Sequence, residues 1–274
     1  MKSIKLLFAL LLTLAMTSCT ITEKMIINDN GSGKFAYDID GTKMMSMMGS
    51  AFKGDDKEDT KKDKKETVNR KNKKVVDSTF TFKEMFASKQ DSISKLSPEE
   101  QAKIKKMERF SVRTIIDEEK GIMNYSMFTD FNSISELQDV MSPVESMKSI
   151  SPTGQKSGGM GMAPDALEDN SSTSFFYDGK IFKKTVAKIE KKKEVTEGVE
   201  EGSEDDVANK MKESLDMFYD QSNFKVVYQF PKAIKKISIE NALYSEDRKT
   251  ITIEYPLKDY MENPDKLNFE VTFE

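Results

Sequence analysis

The chain has 274 residues, with 43 Lys and Arg against 47 Asp and Glu, so its formal net charge is −4. It contains no His, no Trp and a single Cys, which excludes Ser-His-Asp and Cys-His catalytic groups, His-ligated metals, internal disulfides and four-thiolate metal sites. The acidic balance argues against a nucleic-acid-binding protein.

The N-terminus has the pattern of a bacterial lipoprotein signal peptide. Lys2 and Lys5 precede an uncharged, strongly apolar segment, residues 6–18, which is shorter than the roughly 20 residues that span a bilayer. The segment ends in Met-Thr-Ser-Cys, which resembles a lipobox with Cys19 as its thiol. We therefore predict removal of residues 1–18 and lipidation of Cys19 with acyl chains such as palmitate. An uncleaved transmembrane anchor and an ordinary secretory signal are the alternatives.

The predicted anchor also indicates a location. Acyl chains on Cys19 supply the two hydrophobic signals that stable membrane anchoring requires. Loss of Lys2 and Lys5 with the signal peptide takes the formal charge from −4 to −6. No acidic residue directly follows Cys19, which favours the outer membrane over the inner membrane and leaves the leaflet open. The expected partners are the membrane, through the lipid, and an envelope protein or lipid.

A first half, residues 19–141, is predicted from alternating apolar residues, turn residues and helix-start signals. Ser97 and Pro98 form the clearest helix start, with an N-cap Ser and Pro at the first helical position. The predicted strands are Ile21–Asn28 and Lys34–Asp40 around a turn at Asp29–Gly33, Val75–Phe82, and Phe110–Ile116 paired with Ile122–Phe128. The predicted helices are Thr42–Phe52, Ser97–Glu108 and Ser133–Met141. A solvated charged loop, residues 53–74, carries ten basic and six acidic residues.

A flexible linker rich in Ser, Gly and Met is predicted at residues 142–174, and a second half at residues 175–274. The second half contains another charged loop, residues 188–201. Its predicted elements are a hairpin on Asp178-Gly179 within Phe175–Phe182, a helix at Ser203–Phe218, strands at Phe224–Phe230, Ile237–Ile239 and Ile251–Tyr255, a helix at Leu257–Met261 and a strand at Phe269–Phe273.

The pattern as a whole predicts an α+β fold, in which antiparallel β-hairpins are covered by amphipathic helices. The two halves share an order of hairpin, capped helix, hairpin and short helix. Phe110–Met141 corresponds in layout to Lys236–Met261, which raises a possible ββαββα duplication. Different strand orders in the two halves would exclude that duplication.

A Met-rich segment invites a copper hypothesis, because thioethers are soft ligands that suit Cu(I). The residues are Met44, Met45, Met47 and Met48. Packing of a helical face explains them better, since Met commonly fills irregular cores. We therefore reject a metal site there.

Three short motifs suggest chemistry but are incomplete. Asn28–Gly33 resembles the start of a calcium loop, yet its twelfth position is Ile39 where such a loop needs Glu. Ser92 and Lys95 match Ser-x-x-Lys without the Lys-Thr-Gly partner of penicillin-interacting enzymes. Gly31–Lys34 lacks the spacing of a phosphate-binding loop. We predict no enzymatic activity and no cofactor.

The N-terminal residues carry a family resemblance. Cys19, a strand rich in Thr and Ile, the sequence Asn-Asp-Asn-Gly-Ser-Gly-Lys-Phe, then Asp-Ile-Asp and a Met-rich segment resemble lipoproteins of Bacteroidetes-type bacteria. The early Gly-Ser-Gly hairpin is also similar to that of mycobacterial LppM-type lipoproteins. The first resemblance implies envelope location, and the second implies an α+β fold linked to envelope lipid recognition.

Two functions follow as expectations. The first is a non-catalytic, membrane-anchored envelope lipoprotein that binds or scaffolds another envelope component. The alternative is a lipid- or glycolipid-binding module with a groove between sheet and helices. The oligomeric state stays open.

Overall fold

A computed structural model describes residues 19–42, 75–117, 119–138, 171–188 and 220–274. The twelve strands of this part are β1 (Cys19–Ile27), β2 (Gly33–Asp40), β3 (Val75–Thr81), β4 (Ser111–Asp117), β5 (Ile122–Phe131), β6 (Ser171–Tyr177), β7 (Ile181–Lys188), β8 (Ser222–Gln229), β9 (Ile234–Ile237), β10 (Leu243–Tyr244), β11 (Thr250–Pro256) and β12 (Phe269–Phe273). The helices are α1 (Phe82–Ala87), α2 (Gln90–Ile93), α3 (Pro98–Met107) and α4 (Leu257–Glu262), with 3-10 helices η1 (Ile134–Leu137) and η2 (Pro264–Leu267).

The larger sheet has eight strands in the order β10-β11-β8-β1-β2-β5-β4-β3. Its neighbouring strands are antiparallel, except that β1 and β8 run parallel, with Cys19 opposite Ser222 and Ile26 opposite Gln229. The N-terminal strand therefore lies inside the sheet, between a strand from the first half of the chain and one from the second.

The hairpin of β1 and β2 forms where the sequence predicts it. Gly31 has a φ of +80°, a conformation that glycine adopts without the steric cost of a side chain. The Gly31 N–H donates to the Asn28 carbonyl at 2.9 Å, and the Asn28 N–H donates to the Ser32 carbonyl at 2.8 Å. The register places Ile27 opposite Gly33 and Met25 opposite Phe35, so that both apolar faces point the same way.

A second sheet, in the order β6-β7-β12-β9, packs against the centre of the larger one. Aromatic rings join the two layers. Phe182 lies 5.5 Å from Tyr228 and 5.1 Å from Phe230, and Phe175 lies 6.0 Å from Phe35, measured between ring centroids. Alternation along each strand directs these residues inward, which makes a shared core between the sheets.

The prediction of an α+β fold with helix-covered sheets is wrong. The described part is mostly β, with 52% strand and 22% helix, and the layer over the larger sheet is a second sheet. The described helices have four to ten residues. The period-two alternation of β6, β7 and β12 gives them an apolar face of their own, so they pair with one another and form a separate layer.

The ββαββα duplication is excluded on the same grounds. The five strands of the first half all join the larger sheet, in the order β1-β2-β5-β4-β3. The strands of the second half are divided, since β8, β10 and β11 join the larger sheet whereas β6, β7, β9 and β12 form the smaller one. The two halves therefore have different strand orders.

Several observed strands and helices begin or end at residues other than those predicted from the sequence. The strand predicted at Val75–Phe82 stops at Thr81, because Thr81 and Glu84 form a capping box that starts α1, with Phe82 fully buried. The helix predicted at Ser97–Glu108 is present as α3, and the short helix after Ser133 is the 3-10 helix η1. β6 begins at Ser171, four residues inside the predicted linker.

Several predicted features lie outside the described residues. They are the signal peptide at 1–18, the Met-rich helix from residue 43 onwards, the charged loop 53–74, most of the linker 142–174, the charged loop after Lys188 and the helix predicted at Ser203–Phe218.

The close approach at Gly33 yields a stability prediction. A Cβ at this position would lie 1.9 Å from the Ile26 carbonyl oxygen and 2.5 Å from the Phe131 ring. Gly33→Ala should therefore lower the free energy of unfolding by about 3 kcal/mol or more, since backbone of β1 has to move. Urea denaturation followed by circular dichroism measures the loss.

Gly31→Ala is the matched control for Gly33→Ala. Its added methyl group would meet nothing within 4 Å, so the expected loss is the cost of left-handed backbone, about 1–2 kcal/mol. Equal losses for the two variants would contradict the prediction.

Candidate functional site

The predicted lipidation residue is the first residue of a central strand. Cys19 begins β1, and the parallel register pairs it with Ser222 at the start of β8. Along the same strand, Glu23 follows four positions later, about 13 Å from Cys19 for a strand that rises about 3.3 Å per residue. One strand thus carries both the predicted anchor and the most unusual buried group of the fold.

Glu23 occupies a position at which the strand pattern calls for an apolar residue. Ile21, Met25 and Ile27 alternate toward the core, and Glu23 lies between them with 1% of its surface exposed. Its neighbours in the sheet are Tyr37 on β2 and Val226 on β8. A carboxylate in such a place requires a partner, because an unpaired buried charge is very costly.

The partner comes from the other sheet. Lys184 lies at the centre of β7, opposite Phe175 on β6 and Phe269 on β12, and it is also 1% exposed. Its Nζ is 2.7 Å from Glu23 Oε1. This ion pair therefore crosses the interface between the sheets and joins residues 161 positions apart in sequence.

Two tyrosine hydroxyls complete the arrangement. The Tyr37 hydroxyl donates to Glu23 Oε2 at 3.3 Å, and the Tyr228 hydroxyl donates to Glu23 Oε1, the oxygen that Lys184 contacts. We refer to Glu23, Tyr37, Lys184 and Tyr228 as the Glu23 cluster. Both oxygens of the carboxylate are hydrogen-bonded, which offsets part of its desolvation.

Aromatic rings surround the ammonium group. Lys184 Nζ lies 5.6 Å from the ring centroid of Phe224 and 5.9 Å from those of Phe175 and Tyr228, within range of cation–π attraction. Burial lowers the pKa of Lys184, and the adjacent Glu23 carboxylate counteracts this only in part. The site therefore favours a neutral amine more than water does.

Two further buried hydroxyls lie on strands of the larger sheet, Ser222 on β8 and Tyr255 on β11. Ser222 Oγ and Tyr255 Oη have no hydrogen-bond partner among the described residues. Burial, followed by the negative charge of Glu23, raises the pKa of Tyr255 to about 12. Burial also raises the pKa of Tyr228 well above its usual value, again with Glu23 as the next cause. Both phenols therefore favour their protonated form, and the Tyr228 hydroxyl donates to Glu23.

The arrangement is suited to internal chemistry more than to turnover of an external substrate. The carboxylate is neutralised by a lysine, and both groups are enclosed by side chains of the two sheets. A general base must reach the proton of its substrate, which requires access from outside. The cluster holds the Lys184 amine, a potential nucleophile, beside the Glu23 carboxyl group in a buried environment.

The sequence motifs that fall on described residues lie in a turn and on the surface, outside the Glu23 cluster. Asn28–Ser32 forms the β1–β2 turn, where the Asn30 side chain accepts hydrogen bonds from Ser32. Ser92 and Lys95 are both exposed near α2. Met44, Met45, Met47 and Met48 lie outside the described residues. Within the described ranges, no group of three or more Cys, Asp and Glu side chains is arranged to hold a metal ion.

Sequence reasoning missed the Glu23 cluster, although a signal was present. Glu23 interrupts the apolar alternation of Ile21, Met25 and Ile27, and Lys184 interrupts that of Phe182 and Val186. Two opposite charges at inward positions of two strands are a signal of a buried pair. Glu and Lys are common at protein surfaces and frequent in this chain, so the two that point inward could not be distinguished from those that face solvent.

Comparison with known proteins adds no relative, since no protein-family model, curated protein sequence or solved structure matches the chain. In the part of the chain that the structure describes, no helix is both long enough and apolar enough to cross a membrane.

Removal of one partner of the buried pair should be strongly destabilising. Glu23→Ala leaves Lys184 without its counter-ion, and the expected loss is about 3–5 kcal/mol in the free energy of unfolding. Lys24→Ala is the control, because the Lys24–Asp38 pair is half exposed and such pairs contribute about 1 kcal/mol or less. Urea denaturation measures both, and similar losses would contradict the assignment.

A double variant separates the contribution of the ion pair to stability from that of side-chain packing. Glu23→Leu combined with Lys184→Met removes both charges and keeps apolar volume, so it should be more stable than either single substitution. A double variant less stable than both would show that the charges do not depend on each other. The same denaturation assay gives the coupling energy.

The raised pKa values of Tyr228 and Tyr255 predict that the folded protein loses stability at alkaline pH. Unfolding exposes Tyr228 and Tyr255, which then ionise near pH 10, so the unfolded state loses protons that the folded state keeps. Their contribution to the free energy of unfolding should therefore fall as pH rises from about 10 to about 12. Lys184, with its lowered pKa, contributes in the opposite direction below about pH 10.

Tyr255→Phe isolates one tyrosine, because Lys184 and Tyr228 are present in both proteins. Between about pH 9 and about pH 11, the urea midpoint of this variant should fall less than that of the parent chain. An identical fall would show that Tyr255 ionises normally in the folded state.

Proposed function

We propose that this protein is a lipid-anchored component of the bacterial cell envelope, which binds or scaffolds another envelope component and catalyses no reaction on an external substrate. Residues 1–18 are the signal peptide, and Cys19 carries the acyl chains. The outer membrane is the preferred location, since no acidic residue directly follows Cys19.

The position of Cys19 is the observation that supports this proposal. It is the first residue of β1, and its backbone pairs with that of Ser222 inside the eight-stranded sheet. Acyl chains on Cys19 would then hold the folded body directly at the bilayer surface, without a flexible tether. A rigid, surface-held body suits a component that positions a partner near the membrane.

The interior of the fold favours binding of a macromolecular partner over binding of a lipid. The space between the sheets is occupied by aromatic side chains, with Tyr228, Phe182 and Phe35 almost fully buried. The lipid-binding alternative relied on a groove between a sheet and covering helices, and the layer opposite β1 and β8 is a second sheet. A surface for a macromolecular partner is therefore the better-supported function.

Lipidation is tested by Cys19→Ser in a bacterial host that carries the lipoprotein-processing enzymes. The parent chain should incorporate an alkyne-labelled palmitate analogue and fractionate with the outer membrane. The Cys19→Ser chain should incorporate none and leave the membrane fraction, because the chain has no other Cys.

Thr22→Ser, three residues along β1, is the matched control and should be labelled like the parent chain. Label on the Cys19→Ser chain, or a parent chain without label, would contradict the proposal.

The scaffold function is tested separately, with the full lipidated chain in detergent micelles. Native mass spectrometry after mild cross-linking in intact cells should show an adduct of protein mass that repeats between preparations. A co-purifying lipid in addition to the covalent acyl chains would favour the lipid-binding alternative instead.

A further inference from the structure

The contact between Lys184 and Glu23 brings a potential nucleophile to a carboxyl group under unusual conditions. Nζ lies 2.7 Å from Oε1, and both residues are 1% exposed. Reactants held in an aligned intramolecular geometry reach effective concentrations of about 10⁵ M or more, and here the amine lies within hydrogen-bond distance of the carboxylate. Condensation of an amine with a carboxylic acid, which is unfavourable in dilute water, gains from this proximity and from the exclusion of water.

Burial weakens the preference of Lys184 for its charged form. In a medium of low dielectric constant, an ion pair loses much of its advantage over the neutral amine and acid, because both charges are desolvated. Apolar rings of Phe175 and Phe224 lie against the ammonium group. Amide formation requires the transfer of one proton from Nζ to Oε1, which leaves an amine with a free electron pair beside the carboxyl carbon.

The two tyrosines are placed to assist the reaction. The Tyr37 hydroxyl donates to Oε2, the oxygen that would carry negative charge when Nζ adds to Cδ. The Tyr228 hydroxyl donates to Oε1, which would leave. Each oxygen of Glu23 therefore has its own donor, as addition and elimination at a carboxyl carbon require.

We propose that Lys184 and Glu23 condense spontaneously to form an intramolecular amide, which covalently joins β7 to β1. The bond formed is Nζ–Cδ, and the bond broken is Cδ–Oε1. Of the three ammonium protons, two leave with Oε1 as one molecule of water and the third stays on the amide nitrogen. No oxidation or reduction takes place, and the chain reacts once, with itself.

The inference does not depend on the anchoring of Cys19, because it requires only the folded body. The stability and pH effects predicted for the buried ion pair apply to the chain before the amide forms. Its consequence is nevertheless greatest in an anchored protein. The amide would join the two sheets across 161 residues of sequence, at a point on the strand that begins with the predicted anchor.

The test is made on the full chain, purified in detergent after expression in a bacterial host. Intact mass spectrometry should show the parent chain lighter by the mass of one water than its sequence and acyl chains require. Proteolysis and tandem mass spectrometry should then identify a branched peptide that joins the segment around Glu23 to the segment around Lys184.

Two variants assign the bond. Lys184→Arg should have its full mass, whereas Lys183→Arg, at the exposed neighbouring position, should show the same loss of water as the parent chain. Tyr228→Phe should contain a larger unreacted fraction shortly after induction, because it lacks the donor to the leaving oxygen.

The parent chain itself decides the outcome, so the result does not depend on whether a variant folds. A folded parent chain of full mass after prolonged incubation would overturn the proposal and leave a permanent ion pair. Loss of water that persists in Lys184→Arg would also overturn it, since the missing water would come from another site.

Discussion

Two sheets that meet mainly through apolar side chains have some freedom to shift relative to each other, at the cost of repacking the core. The contact between Lys184 and Glu23 removes that freedom. A shift of one residue along β7 would expose the lysine and leave the carboxylate unpaired in the core, at a cost of several kcal/mol. We infer that this single polar contact sets how β7 lies on β1, while aromatic residues such as Phe182 supply most of the attraction.

The hairpins could be predicted from sequence because their determinants are local. Alternating residues in β1 and β2, together with the turn around Gly31, specify both strands and their register. The pairing of β4 with β5 follows from a similar local pattern. The layer arrangement depends on contacts between distant segments, which is why the expected α+β class was wrong. Four strands of the second half could have extended the larger sheet, but they formed a layer of their own.

Only part of the candidate site could be predicted from the sequence. The lipidation of Cys19 stays a prediction, which rests on the few residues that precede it because a lipobox is a linear motif. Glu23 and Lys184 carry no linear motif, and each resembles the many charged residues that face solvent. Their role becomes visible only when both strands are known to turn these positions inward and to face each other across the core. The capping box of Thr81 and Glu84 is different, because that signal was local and was overlooked.

The parallel pairing of β1 with β8 also bears on when the protein is able to fold. Among the described strands β1 is made first and β8 is one of the later ones, so the centre of the larger sheet closes only after most of the chain is available. Such long-range pairing slows folding, since the ends of a long loop must meet before any stabilising contact forms. The centre of the larger sheet cannot close while β8 is still being synthesised, even where the first hairpin has already formed. The topology therefore makes closure of the larger sheet a late event in folding.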